Sequence, residues 1–176
     1  GKKDREYELL DTGIFEDNNY FDVFIEYAKA DTDDILIKIT VYNRSSEAAQ
    51  LSVLPTLWFR NTWTNVEGNG LILKEETQKE NKVIRVSDDS SEQNRSMDDS
   101  FLHCYGDCEL LFTNNETNNE LLFNTPNVSP FVKDGINNYI VLGDQEAVNL
   151  EKQGTKAAAY YQVEVPGNGS TEICLR

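Results

Sequence analysis

Arg60, Asn61 and Trp63 stand within four residues of one another at the end of the run Leu51–Phe59, which is apolar apart from Ser52, Pro55 and Thr56. Tryptophan and arginine offer large contact areas at small entropic cost, so the cluster suits a flat polar ligand or a protein interface. It equally suits a core strand whose Trp63 covers its open end. A second strand-like run, Glu109–Thr113, also ends in a dense polar group, Asn114-Asn115-Glu116-Thr117-Asn118-Asn119-Glu120. Lys133 and Asp134 form a third polar pair, inside a long stretch that carries Pro126 and Pro130. Glu116 and Asp134 are carboxylates of the type that general acid–base catalysis uses. With 31 acidic residues against 16 basic ones, however, paired acids arise anywhere, and their presence assigns nothing.

Cys104 and Cys108 flank Tyr105-Gly106-Asp107, with His103 adjacent. A closed zinc site needs four ligands, and His103 is the sole histidine, so no metal is expected and the thiols read as buried and free. With Cys174 the cysteines number three, which does not describe a disulfide-stapled secreted scaffold. Asn-x-Ser/Thr triplets at Asn43, Asn94, Asn115, Asn127 and Asn168 matter only in a secretory compartment.

The 176 residues fit one domain, 39% hydrophobic and 10% aromatic, with material for a packed core. A net charge of −15 argues against nucleic acid and anionic membrane as partners, since both require a positive face. No run reaches the ~18 apolar residues of a membrane-spanning helix. Gly1-Lys2-Lys3-Asp4-Arg5 leads into Glu6-Tyr7-Glu8 rather than an apolar signal region, so the chain is expected to start in mid-sequence or in the cytoplasm, and the sparse cysteines lean to the cytoplasm.

The elements that must hold these groups are strands. Residues alternate over Tyr20–Lys29, with Phe21, Val23, Ile25 and Tyr27 on one face, and again over Ile35–Asn43. Ala49–Phe59 follows as a third long strand, so the first three form an antiparallel meander. Phe24, Leu36 and Tyr42 on the outward face call for a second sheet or a neighbour to cover them. Tyr7–Gly13, Val83–Val86, Tyr139–Leu142 and Thr155–Val165 read as further strands. Phe101–Tyr105 and Cys108–Thr113 join about the turn at Gly106-Asp107, and Pro166-Gly167-Asn168-Gly169 turns the chain into a final hairpin ending at Leu175. Leu121-Leu122-Phe123 is a short apolar anchor, and residues 87–100 and 143–154 are polar loops. With no helical period sustained beyond two turns, the fold class is all-β, an antiparallel sandwich with few or no helices.

Several segments resemble a known family. Leu10-Asp11-Thr12-Gly13, Tyr20–Lys29, Leu54–Trp63, Glu109–Asn119, Val132–Ile136 and Gly154–Ala159 are similar to the N-terminal region of large bacterial glucosidase-like proteins, close to family 63 glycoside hydrolases. The resemblance runs from about Tyr7 to Leu175, with residues 64–100 fitting least. It implies an N-terminal β-sandwich of supersandwich type, residues 1–176, whose partner is a catalytic (α/α)6 barrel in the same polypeptide. The family hydrolyses its glycosidic bond with inversion, which needs two carboxyls roughly 6.5–9.5 Å apart. The barrel holds them, so this chain is expected to lack the catalytic pair and any cofactor. Arg60, Asn61, Trp63, Glu116, Asn118, Lys133 and Asp134 follow strand ends, and the resemblance implies that they face the barrel, lining its sugar pocket or forming the seam. The ligand would be an oligosaccharide or small glycoside. The alternatives are a free-standing carbohydrate-binding module, whose platform would use Trp58, Trp63, Tyr20 and Tyr105, and an enzyme in its own right using Glu116 and Asp134.

Overall fold

The computed structural model describes residues 5–59, 71–78, 81–88 and 98–176. Eleven strands lie among them: β1 (Phe21–Asp31), β2 (Asp34–Asn43), β3 (Ala49–Val53), β4 (Thr56–Trp58), β5 (Leu71–Gln78), β6 (Asn81–Asp88), β7 (Ser100–Cys104), β8 (Glu109–Thr113), β9 (Gln153–Gly154), β10 (Lys156–Val165) and β11 (Ser170–Leu175). Two short helices, α1 (Asn119–Phe123) and α2 (Gly135–Asn137), stand between β8 and β9. The strands form one sheet of seven and one of four, so the expected all-β antiparallel sandwich with few helices is the fold observed.

The chain divides into two compact units. The first comprises residues 1–52 and 162–174, the second residues 53–161 and 175–176. In the first unit β1 and β2 pair from Phe21 opposite Asn43 to Lys29 opposite Ile35, and β11 lies next to β2. Burial falls sharply across this hairpin. Val41 and Ile39 of β2 are 0% and 5% exposed, whereas Val23 and Ile25, their partners on β1, are 50% and 54% exposed.

The chain does not continue as a meander. β3 pairs with β10 in the smaller sheet, so residues 44–48 arch between sheets instead of closing a hairpin. The buried Asn43 side chain fixes this arch. Its Nδ2 donates to the Glu47 and Val165 carbonyls at 2.8 and 3.1 Å, and its Oδ1 accepts from Ser45 N–H at 2.9 Å. Asn43 is 2% exposed, which removes its triplet from the surface. Residues 166–169 form a second arch, since β10 and β11 also belong to different sheets. The two arches touch: Asn168 N–H donates to the Ser45 carbonyl at 2.7 Å, and a Cβ on Gly167 would lie 2.0 Å from Ser46 O.

In the second unit β7, β6, β5 and β9 are successive neighbours of the larger sheet, and β4 and β8 flank the start of β10. Pro55 ends β3 and lacks an N–H, so the expected strand Ala49–Phe59 is split in two. Ala159 N–H donates to the Pro55 carbonyl at 3.0 Å across the break. β8 is buried on both faces, with Leu110, Leu111, Phe112 and Thr113 at 1% exposure or less. β7 and β8 lie in different sheets as well, so the turn at Gly106 is a third arch.

Two expected strands are helical. Tyr7–Gly13 contains a 3-10 turn, Leu9–Thr12, closed by Gly13 at φ 70°. Tyr139–Leu142 lies in a π-helical turn, Asn138–Leu142, that continues α2 and ends at Gly143 with φ 71°. Ile136 and Val148 pack with Leu111 and Ala158, and Tyr139 and Ile140 lie against that group. The helical segment therefore roofs β8 and β10. Leu121, Leu122 and Phe123 form no buried anchor: they are the surface of α1, at 73%, 62% and 67% exposure. Residues 87–88 belong to β6, and 89–97 of the expected loop lie outside the described residues.

Neither Gly154 nor Gly167 has room for a methyl group: Cβ atoms there would sit 2.3 Å from Thr113 O and 2.0 Å from Ser46 O. Gly154→Ala and Gly167→Ala should each lower stability by about 2–3 kcal/mol, read as the shift in urea midpoint at unchanged slope.

Candidate functional site

The polar groups singled out after β8 converge because two segments are sewn together by their backbones. Asn114 N–H donates to the Phe131 carbonyl at 2.8 Å and Lys133 N–H to the Glu116 carbonyl at 3.0 Å. Glu116 and Lys133 are thereby neighbours through the main chain. Asn118 and Asp134 meet through side chains, Asn118 Nδ2 donating to Asp134 Oδ2 at 3.0 Å. Lys133 Nζ donates to Thr117 Oγ1 at 3.2 Å. Four of the expected site residues thus form one cluster in the second unit.

Arg60, Asn61 and Trp63 lie outside the described residues. The strand that leads to them reaches the same cluster, because Asn115 Nδ2 donates to the Phe59 carbonyl at 3.0 Å. Asn115 N–H in turn donates to Thr155 Oγ1 at 2.8 Å, tying the start of β10 to the end of β8.

Asn118 has a demanding position. As N-cap of α1, its Oδ1 accepts from Leu121 N–H at 3.1 Å and from Asn127 Nδ2 at 3.1 Å. Asn127 Oδ1 accepts from Asn119 N–H at 2.7 Å and from Glu120 N–H at 3.2 Å. Two asparagine side chains therefore satisfy three donors in the first turn of a five-residue helix that buries nothing of its own.

Lys156, the first residue of β10, closes the cluster from below. Its Nζ donates to the Lys133 carbonyl at 2.6 Å. Desolvation pulls its pKa below the usual lysine value, opposed by the charge of Asp134 and reinforced by that of Lys133. Asp134 Oδ1 is buried without a hydrogen-bond partner. Among the described residues the carboxylate thus accepts one hydrogen bond, from the Asn118 amide, and lies in the field of Lys156. Gly135 follows it at a position where a Cβ would lie 2.1 Å from Ala147 O, so α2 starts in backbone contact with the 3-10 turn Gln145–Ala147.

An open cleft of about 530 Å³ borders the cluster, lined by Asn118, Asn127, Asn138, Asp144 and Glu146 together with Leu121 and Pro130. Amides and carboxylates lining an open cleft can accept and donate hydrogen bonds to a hydroxyl-rich ligand. Among the described residues no group of histidine, cysteine and carboxylate side chains is arranged to hold a metal ion. Lys156, Thr155 and Asn127 were not read as site residues from the chemistry of their side chains. The only local signal was a lysine opening the alanine run 157–159.

Among the described residues, no helix is long and apolar enough to cross a membrane. Asn118→Ala should cost about 1–2 kcal/mol by removing the cap of α1 and the partner of Asp134. The exposed Glu116→Ala should stay within about 0.5 kcal/mol of the parent. Thermal unfolding of the two variants side by side checks the difference.

No family model matches the chain, and no solved structure matches it. A yeast protein does: the uncharacterized protein YMR196W of Saccharomyces cerevisiae is 35% identical over 189 residues, an alignment that covers 92% of this chain. This chain spans 17% of that relative's length.

Proposed function

We propose that this chain is a non-catalytic β-sandwich module of a larger glycoside hydrolase resembling family 63. It packs on the catalytic (α/α)6 barrel of the same polypeptide, and its strand-end cluster borders the sugar pocket. The observation that carries the reading is the β1–β2 hairpin. Both of its faces present apolar side chains to solvent: Val23, Ile25 and Tyr27 at 50%, 54% and 70% exposure on one, Phe24 and Leu36 at 52% and 42% on the other. Contiguous apolar surface on a chain of net charge −15 supports a neighbouring body at this hairpin. In the second unit, α1 adds Leu121, Leu122 and Phe123 beside the polar cluster. The relative's length, most of it beyond the match, is compatible with a module that has a large neighbour. That relative is fungal, so a bacterial source gains no support from it.

In this reading the hydrolytic carboxylates belong to the barrel, and Arg60, Asn61, Trp63, Glu116, Asn118, Lys133 and Asp134 position sugar or seam. The compartment is the cytosol, in keeping with cysteines that are few and all free.

The full-length polypeptide carrying this chain should hydrolyse an aryl α-glucoside with inversion, followed by NMR of the first-formed anomer, and the isolated chain should not. Activity in the isolated chain, or none in the full polypeptide, removes the reading. The interface has its own check. Phe24→Ser with Tyr27→Ser should cost the isolated chain about 1 kcal/mol, chiefly the edge contact of Phe24 with Tyr42. The same pair should cost the full polypeptide about 2–4 kcal/mol, from two large apolar side chains losing their cover. Equal effects in the two contexts mean that nothing covers the hairpin. Arg60→Ala and Trp63→Ala in the full polypeptide should raise KM if they line the pocket, and lower only thermal stability if they form the seam.

A further inference from the structure

The third arch, between β7 and β8, carries a pair of thiols that the proposed function does not use. Cys104 is the last residue of β7 and Cys108 immediately precedes β8, so they bracket the crossing between the two sheets within the second unit. Both are free, at 0% and 5% exposure. Between them Tyr105, Gly106 and Asp107 are exposed, and Gly106 takes φ 87° with nothing near the position of a Cβ. Tyr161 of β10 reaches this arch, its hydroxyl donating to the Tyr105 carbonyl at 3.1 Å. Two buried thiols thus stand at the two ends of an exposed three-residue turn.

We propose that Cys104 and Cys108 form a reversible disulfide on exposure to a small-molecule disulfide such as oxidised glutathione, with Cys108 as the attacking thiol and Cys104 as the resolving one. Interaction with Cys108, then burial, raises the pKa of Cys104, and interaction with Cys104 lowers that of Cys108. Tyr161 and Lys82 also favour the Cys108 thiolate, while burial and Asp107 oppose it. Thiolate is the nucleophile in exchange, and Cys108, outside the strands and 5% exposed against 0% for Cys104, is the more accessible of the two thiols, so it attacks first.

The Cys108 thiolate attacks one sulfur of the oxidant. The oxidant's S–S bond breaks, a glutathione thiolate leaves, and Cys108 carries the mixed disulfide. The departing thiolate takes the Cys104 proton. Cys104 then attacks the Cys108 sulfur, expelling the second glutathione. Two protein thiols are oxidised to one disulfide, and one small disulfide is reduced to two thiols. The product staples β7 of the larger sheet to β8 of the smaller one across the arch.

Cys174 is exposed and serves as a reactivity control, then is replaced to prevent pairing between chains. In this chain bearing Cys174→Ser, oxidised glutathione should abolish both remaining free thiols. The single tryptic peptide 96–133 should lose two hydrogens in mass and regain them with dithiothreitol. Adding Cys104→Ser should halt the reaction at one glutathionyl adduct on Cys108. Adding Cys108→Ser should slow adduct formation by about tenfold or more. Circular dichroism checks that each variant is folded, and the Cys174→Ser result stands without the other two. Two thiols still titratable after Cys174 of the parent has reacted fully, or equal adduct rates in the two double variants, overturn the proposal.

Discussion

The carbonyl of Thr113 occupies the space where a side chain on residue 154 would begin, and much of the second unit is built on that contact. The same oxygen accepts the Thr155 N–H at 3.1 Å. A close backbone approach, possible only with glycine, thus sets where β10 starts relative to where β8 ends. Lys156 then falls opposite Thr113 on one side and Trp58 on the other. The next three residues of β10 are alanines, all fully buried, small enough for the helical roof at 135–142 to come down on the strand. The polar cluster inherits its geometry from this arrangement. Asn115 reaches Thr155 and Phe59, and Lys156 reaches the Lys133 carbonyl, because the strand ends cannot drift apart.

Most of the strands were legible, because alternation reports a two-residue period whatever the strand pairs with, but β9 lies within 143–154, expected as a polar loop. The partners were not. Asn43–Ala49, Cys104–Glu109 and Val165–Ser170 all look like hairpin turns, with polar or glycine-rich links between alternating runs. All three are arches between sheets. A turn residue specifies a reversal of direction, and a reversal serves a hairpin or an arch equally well. What decides is the buried bonding of Asn43 to Val165, a residue 122 positions away, which no local window contains. Tyr139–Leu142 was misread for a related reason: four apolar residues are too few to separate a strand from a helical turn.

The candidate site was legible as composition and opaque as structure. Dense asparagine after a buried strand marks a polar terminus, and Glu116, Asn118, Lys133 and Asp134 do come together. The sequence could not reveal that Asn118 is largely committed to internal bonds, capping α1 and holding Asn127 and Asp134. Nor could it reveal Lys156, whose importance comes from a strand register. In the proposed reading, residues already bonded to one another would offer a ligand a pre-ordered rim, which costs less entropy to bind against than a mobile one.

The eleven-residue strand β1 pairs with β2 alone among the described strands. Its other border is a row of main-chain donors and acceptors with exposed Val23, Phe24, Ile25 and Tyr27 above and below. Proteins usually blunt such a border with proline, a bulge or inward-pointing charge. Here the irregularity at Lys29/Asp31 lies only at the far tip, and Asp22, Glu26 and Lys29 supply the charge. A chain left in this condition is a template for its own copies, adding strand to strand into aggregates. A neighbour seated on that border, as proposed above, would also keep the protein from polymerising with itself.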